Sequence, residues 1–144
     1  MKKISSMAVY CGSSVGNNHL FFEAAENIGK FLANNNIKLI YGGGNLGLMG
    51  AVSGAALKNG GEVMGVITSH LINKEKINED LTDIHIVDSM SERKNKMFNA
   101  SDAFLILPGG IGTLEEFFEI LSWKQLKIHS KDILIYNVNN YWDD

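Results

Sequence analysis

Cysteine and proline are almost absent from this chain of 144 residues, which contains one of each. A single cysteine, Cys11, cannot form an intramolecular disulfide, so a disulfide framework is excluded and a cytoplasmic, reducing compartment is expected. No apolar run approaches the ~20 residues of a membrane span, and the first residues lack the pattern of a secretory signal. The formal net charge of −3 argues against general nucleic-acid binding, which usually needs a basic face.

Glycine, by contrast, is unusually frequent, with 15 residues in the chain against a typical share of ~7%. Hydrophobic residues make up 45% of the sequence and charged residues 20%. This composition excludes disorder and supplies a core for one domain over residues 1–144. The positions of the glycines are therefore the main indication of where the functional site lies.

Short apolar segments alternate with helical patterns along the whole chain. The predicted strands are residues 4–10, 37–41, 62–67, 83–87, 103–107 and 132–136. The predicted helices are residues 19–33, 46–58, 89–100 and 113–128, with a loop or short helix over 68–81 and no helix after residue 136. This order predicts an α/β fold, a doubly wound parallel sheet in a three-layer α/β/α arrangement.

The first glycine loop, GGGNLG at residues 42–47, follows the second predicted strand. It matches the dinucleotide fingerprint literally, but that fingerprint follows the first strand and requires an acid about 20 residues later. The third predicted strand ends in Ile67-Thr68-Ser69, without an acid. An NAD-dependent oxidoreductase is therefore disfavoured, and the loop predicts either a phosphate or ribose contact or a tight turn.

The second glycine loop, PGGIGTLEE at residues 108–116, follows the apolar fifth strand. Main-chain N–H groups at the start of a helix favour a phosphate, and Glu116 places a carboxylate beside them. Thr113 and Glu116 also have the spacing of a capping box, in which the acid only stabilises the helix start. Spacing alone leaves both interpretations of Glu116 open.

A charged helix start, SMSERKNK at residues 89–96, lies between the two loops. Most such runs form a solvated helix face. Its first turn is nevertheless predicted at the carboxyl edge of the sheet, where Arg93 can pair with a phosphate or with Glu116.

These motifs, taken in order, resemble the LOG ("Lonely Guy") family of cytokinin riboside 5′-monophosphate phosphoribohydrolases, many relatives of which were long labelled lysine decarboxylases. The matching residues, with x for positions that do not count, are VYCGSS at 9–14, YGGG at 41–44, GLMG at 47–50, MxERK at 90–94, PGGxGTxxE at 108–116 and WxQLxIH at 123–129. The resemblance covers nearly the whole chain. Two departures are Val15, where a proline is common, and the end at residue 144, where relatives continue into a helical segment that we expect to be missing here.

The resemblance implies a Rossmann-like fold, a homodimer, and hydrolysis of the N-glycosidic bond of AMP or N6-substituted adenosine 5′-monophosphates. It implies neither a cofactor nor a metal ion, and it makes Arg93 and Glu116 the catalytic pair. A nucleotide-binding protein that does not cleave its ligand is the alternative. The predicted substrate-binding residues are Ser13, Gly43, Gly44, Glu75, Met90, Lys94, Gly109, Gly110, Ile111, Gly112, Thr113, Glu115 and Ser122.

Overall fold

A six-stranded, all-parallel sheet forms the centre of the part of the chain that the structure describes. The computed structural model describes residues 3–12, 19–72 and 80–143, and of residues 139 and 140 the main chain only. The strands are β1 (Ser6–Tyr10), β2 (Lys38–Tyr41), β3 (Val63–Thr68), β4 (Asp83–Val87), β5 (Ala103–Ile106) and β6 (Asp132–Ile135). Each matches a predicted strand to within two residues at either end, so the predicted α/β fold is confirmed.

Helices connect these strands. They are α1 (His19–Asn34), α2 (Gly47–Lys58), α3 (Met90–Ala100) and α4 (Ile111–Gln125), with short 3₁₀ helices at Ser69–Leu71 and Val138–Asp143. The start of α3 is fixed as the capping pattern predicts, because Ser89 Oγ accepts a hydrogen bond from Glu92 N at 3.1 Å. No helix among the described residues is both long and apolar enough to cross a membrane.

The strand order β4-β3-β2-β1-β5-β6 reverses its direction between β1 and β5. Tyr10 of β1 pairs with Ile106 of β5, so the carboxyl ends of these two strands lie side by side. Such a reversal opens a crevice, and in doubly wound sheets ligands bind there, beyond the carboxyl ends of the strands.

The core has two apolar layers, one on each face of the sheet. Met7 and Val9 of β1 pack with α1 and α2 on one face, whereas Ala8 and Tyr10 pack with α3 and α4 on the other. This alternation follows from the two-residue period of a strand, and it confirms the three-layer arrangement.

The bounds of α4 differ from the prediction. The helix begins at Ile111, two residues before Thr113, because Gly110 is its N-cap and Leu114 N donates to Gly110 O at 3.1 Å. It ends at Gln125, three residues earlier than predicted, and Lys127 just beyond has a left-handed φ of 62°. The capping-box interpretation of Thr113 and Glu116 is therefore wrong, since Thr113 lies inside the first turn.

The segment after β6 was predicted without a helix, but Val138–Asp143 forms a 3₁₀ helix. Asn137 organises it, because its side-chain carbonyl accepts from Trp142 N and its amide donates to Asp143, both at 2.7 Å. The strand β6 remains thinly covered: the side chains of Leu134 and Ile135 are about half exposed.

Candidate active site

A cavity of about 240 Å³ opens at the carboxyl ends of β1 and β2, beside the switch point. Helix α3 and the first turns of α4 close its sides. Its lining residues are Val9, Tyr10, Cys11, Gly12, Gly42, Met49, Leu71, Met90, Arg93, Gly110, Gly112, Thr113, Glu115 and Glu116. Both predicted catalytic side chains and much of the second glycine loop therefore face one space.

Main-chain N–H groups at the start of α4 form one wall of this cavity. The first N–H of the helical ladder is that of Leu114, so those of residues 110–113 remain outside it. The first turn of α4 contains no acidic residue, so the positive end of the helix dipole is not neutralised there. This wall suits an anion such as a phosphate.

Close packing holds the loop before α4 in shape. Gly12 N donates to Pro108 O at 3.1 Å, which ties the loop to the end of β1. A Cβ atom on Gly109 would collide with the Thr113 side chain and approach Gly12 N to 3.0 Å. Only glycine fits at residue 109, which accounts for the residue type at this position.

Arg93 is buried, with 6% of its surface exposed. Its Nε donates to Val66 O at 2.8 Å and its Nη2 to Gly42 O at 2.6 Å, so among its partners are the ends of β3 and β2. The general expectation of a solvated helix face is wrong for this residue. A fixed positive charge lies instead in the cavity wall, and Gly42 has no room for a side chain because a Cβ would collide with the guanidinium.

Glu116 lines the same cavity one helical turn after Thr113. Its charge reaches two neighbours on the cavity floor. Burial, followed by the charge of Glu116, raises the pKa of the Tyr10 hydroxyl and of the Cys11 thiol above their usual ranges, while Arg93 lowers that of Tyr10. Glu116 and Arg93, the predicted catalytic pair, therefore both affect the pKa of Tyr10 in a poorly solvated part of the cavity.

Lys94 joins α3 to α4. Its Nζ lies 2.6 Å from carboxylate oxygens of both Glu115 and Glu119. The hydrogen bonds that Lys94 donates to these two carboxylates raise its pKa from its ordinary 10.5 to about 12. Glu115 lines the cavity. Lys94, which is predicted to bind substrate, does not line it and forms ion pairs with the two acids instead.

The other predicted residues are scattered. Met90, Gly110, Gly112 and Thr113 line the cavity, while Gly43, Gly44, Gly109, Ile111 and Ser122 do not. Gly43 packs against Val66 and Ile67 with a φ of +84°, which favours glycine on backbone grounds alone. Ser122 is exposed far along α4, and Ser13 and Glu75 lie outside the described residues.

Several wall residues were not predicted as site residues. Among them, Tyr10 is the last residue of β1, Cys11 comes directly after it, and Gly42 is next to a predicted glycine. Leu71 carried no sequence signal and Met49 only its place in the GLMG segment, because an apolar side chain is equally consistent with a role in the core. A second omission is Tyr141, whose hydroxyl donates to Gly109 O at 2.6 Å.

A larger groove, of about 600 Å³, lies on the surface between α1 and α2. Gly47, Gly54 and Lys58 are among its lining residues, and it includes neither Arg93 nor Glu116. Volume alone would favour it, but the smaller cavity has the charged pair, the helix start and the strand ends. We therefore take the smaller cavity as the candidate active site.

Known proteins share much of this sequence over nearly the whole length of the chain. A family model described as "Possible lysine decarboxylase" matches residues 49–144. LOGL9 of Oryza sativa subsp. japonica, a probable cytokinin riboside 5′-monophosphate phosphoribohydrolase, is 47% identical over 137 residues, covering 95% of this chain and 60% of the rice protein. A cytokinin riboside 5′-monophosphate phosphoribohydrolase of Rhodococcoides fascians is 42% identical, covering 95% and 70%. The chain belongs to the LOG family.

This LOG-family chain is shorter than the relatives it matches. LOG1 of Arabidopsis thaliana, a cytokinin riboside 5′-monophosphate phosphoribohydrolase, is 43% identical over 141 residues, which are 98% of this chain but 66% of the plant protein. The chain spans 60% of the rice relative.

Solved structures of other proteins show the same fold as this chain. The Moco carrier protein from Chlamydomonas reinhardtii superposes with a TM-score of 0.75, covering 92% of this chain and 76% of that one at 21% identity. The molybdenum cofactor binding protein from Rippkaea orientalis gives a TM-score of 0.72 over 94% and 77%, again at 21% identity. At this identity the likeness establishes the fold alone.

Proposed function

We propose that this LOG-family chain hydrolyses the N-glycosidic bond of AMP or N6-substituted adenosine 5′-monophosphates, releasing free base and ribose 5-phosphate. The observation that carries the proposal is the meeting of Arg93, Glu116 and the start of α4 in one cavity. The curated relatives are named for this activity on cytokinin riboside 5′-monophosphates.

The 5′-phosphate would bind at the start of α4. The N–H groups of Gly110, Gly112 and Thr113 lie outside the helical hydrogen bonds, and all three residues line the cavity. Bound there, the phosphate would fix the ribose in one orientation, and this positioning lowers the barrier of the chemical step.

Glu116 would act at the ribose. Water adds to C1′ while the bond between C1′ and the base nitrogen breaks, and the base departs with the bond electrons and takes up a proton. Positive charge develops on the sugar, as in glycoside hydrolysis. A carboxylate on the cavity wall stabilises this charge or activates the water.

Arg93 would serve as a fixed cation. It donates hydrogen bonds to Val66 O and Gly42 O, which fix the guanidinium in the cavity wall. In that position it orients Glu116 and favours departure of the base.

Replacement of Glu116 by Gln tests the proposal. We expect base release from AMP or from isopentenyladenosine 5′-monophosphate, followed by chromatography, to fall by at least about 10²-fold. Nucleotide binding, followed by calorimetry, should change by no more than about threefold, because a general acid–base group contributes mainly to the chemical step. Glu26→Gln, an exposed acid on α1, is the matched control and should behave as wild type.

Two outcomes would contradict the proposal. Turnover retained in Glu116→Gln removes this residue from catalysis. Nucleotide binding by the wild type without base release supports the non-cleaving binding protein, an activity that the same fold also hosts. An NAD-dependent oxidoreductase remains disfavoured, since β3 ends at Thr68 with no acid for the ribose.

We also propose that the chain forms a homodimer through α4. Ile111, Phe118 and Leu121 lie at helical spacing and are 87%, 57% and 41% exposed. An apolar stripe of this kind is typical of an interface between chains. Light scattering on the purified chain should give twice the mass of one chain.

We further propose a cytoplasmic location. The single cysteine offers no intramolecular disulfide, and the proposed nucleotide substrates are intracellular compounds. Fractionation of the source cells with an antibody to the chain tests this, and recovery in a membrane or extracellular fraction would contradict it.

A further inference from the structure

The C-terminal 3₁₀ helix contacts the loop that precedes α4. Tyr141 Oη donates a hydrogen bond of 2.6 Å to Gly109 O, across 32 positions of sequence. We propose that Tyr141 is a positioning residue for phosphate binding: its hydroxyl sets the orientation of the peptide between Gly109 and Gly110. This inference rests on the proposed function, since it concerns the same phosphate.

The planarity of the peptide unit transmits the effect. A trans peptide holds its C=O and the following N–H in one plane and in opposite directions. Fixing Gly109 O therefore fixes the direction of the Gly110 N–H, and Gly110 lines the cavity. Tyr141 acts on this donor through the Gly109 carbonyl, from outside the cavity, and needs no contact with substrate.

Two consecutive glycines make such a restraint necessary. Gly109 and Gly110 lack Cβ atoms, so rotation of the peptide between them meets less steric resistance than rotation of a peptide between residues that carry side chains. The preceding peptide is already held, because Pro108 O accepts from Gly12 N at 3.1 Å. Tyr141 supplies the corresponding restraint on the second peptide.

The tyrosine side chain is itself held in place. Its ring meets the ring of Phe21 on α1 edge-on at 5.3 Å and that of Trp142 at 4.8 Å. Trp142 N donates to the side chain of Asn137, which fixes the turn that carries both rings. The hydroxyl is thus presented at a defined point rather than on a free side chain.

Orientation, rather than stability, is the effect expected of this bond. The bond between Tyr141 and Gly109 is exposed to solvent, so water can satisfy the carbonyl when the hydroxyl is removed. We expect loss of the hydroxyl to leave the fold intact but the Gly109–Gly110 peptide less restrained. Ligands that carry a phosphate should then lose affinity, whereas ligands without one should not.

The test is Tyr141→Phe, which removes one oxygen and keeps the ring contacts. We expect the Kd for ribose 5-phosphate, measured by calorimetry, and the KM for AMP to rise about 3–10-fold, the range of one hydrogen bond. The kcat for AMP and the affinity for adenosine, which lacks the phosphate, should stay within about twofold of wild type. Tyr136→Phe removes another exposed tyrosine hydroxyl and is the matched control.

The outcomes separate this inference from the proposed function. Unchanged ribose 5-phosphate affinity in Tyr141→Phe, or an equal loss for AMP and adenosine, overturns the positioning role and leaves the hydrolase proposal standing. If the wild type binds AMP without cleaving it, the hydrolase proposal falls and the Kd comparison still decides the role of Tyr141. If the wild type binds no phosphate ligand, both are overturned.

Discussion

At the residue scale, the candidate site depends on one buried cation. Arg93 is 6% exposed, and its guanidinium donates to main-chain carbonyls at the ends of both β2 and β3. Its removal would leave Gly42 O and Val66 O without these donors in a poorly solvated region, and such carbonyls are costly to leave unpaired. Arg93 is therefore expected to serve stability as well as chemistry, whereas Glu116 is expected to serve chemistry.

The comparison of two variants separates these roles. We expect Arg93→Ala to lower the free energy of unfolding by about 2–4 kcal/mol. For a chain of this size, each kcal/mol lost should lower Tm by about 2–4 °C. Glu116→Gln should change Tm by less than about 2 °C, yet both variants should lose base release. Calorimetric melting of the two proteins measures this, and an unchanged Tm in Arg93→Ala would contradict the structural role.

At the element scale, an ion-pair network joins α3 to α4. Lys94 bridges Glu115 and Glu119, two acids one turn apart that would otherwise repel each other. Exposed pairs contribute little individually, but here one ammonium serves two carboxylates between helices that close the cavity. The network thus stabilises the relative position of α3 and α4.

The contribution of Lys94 should disappear at high pH. Its pKa is raised from 10.5 to about 12 in the folded chain. Its stabilisation is therefore complete below pH 10.5 and is lost as the pH rises through 12. We expect Lys94→Met to cost about 1 kcal/mol at pH 8 in denaturant unfolding, with the difference from wild type shrinking above pH 10.5. Lys30→Met on α1 is the control, and a difference independent of pH would exclude the ion pairs as its source.

Alanine in place of a glycine should have opposite effects on stability at two positions of α1 and α2. A Cβ on Gly29 of α1 would collide with Val52 O of α2, whereas one on Gly54 meets nothing within 4 Å. Gly54→Ala should raise stability by about 0.5–1 kcal/mol through helix propensity, and Gly29→Ala should lower it by about 1–3 kcal/mol. Thermal melting measures both, and equal shifts would show that the two helices are not closely packed.

The sequence predicted elements far better than contacts between elements. Apolar runs and the cap at Ser89 depend on neighbouring residues, so the strands, their order in the chain and the start of α3 were predictable. Two carbonyl partners of Arg93 lie 27 and 51 positions away, and nothing in its own helix indicates them. The early start of α4 escaped prediction because Gly110, which has no side chain to cap with, is the N-cap in place of Thr113.

At the scale of the whole molecule, α4 and the segment after it carry a group of exposed apolar side chains. Phe118 and Leu121 of α4 are exposed, as are Leu126 and Ile128 just beyond it and Ile135 of β6. Burying such surface contributes roughly 25 cal/mol per Å², and stable interfaces bury on the order of 1,200–2,000 Å² in total. Neighbouring apolar groups on one helix and the segment after it favour association through that side.

A charge on α4 should therefore break the proposed dimer. We expect Phe118→Glu to convert the chain to a monomer in light scattering, because two like charges would meet unpaired in a symmetric interface. Phe31→Glu is the matched control: Phe31 is 55% exposed against 57% for Phe118, but it lies on α1, across the sheet. Since both side chains already contact solvent, neither change should alter Tm of the monomer by more than about 2 °C. A monomeric wild type would refute the homodimer, whereas a dimer broken by Phe31→Glu and kept by Phe118→Glu would move the interface to α1.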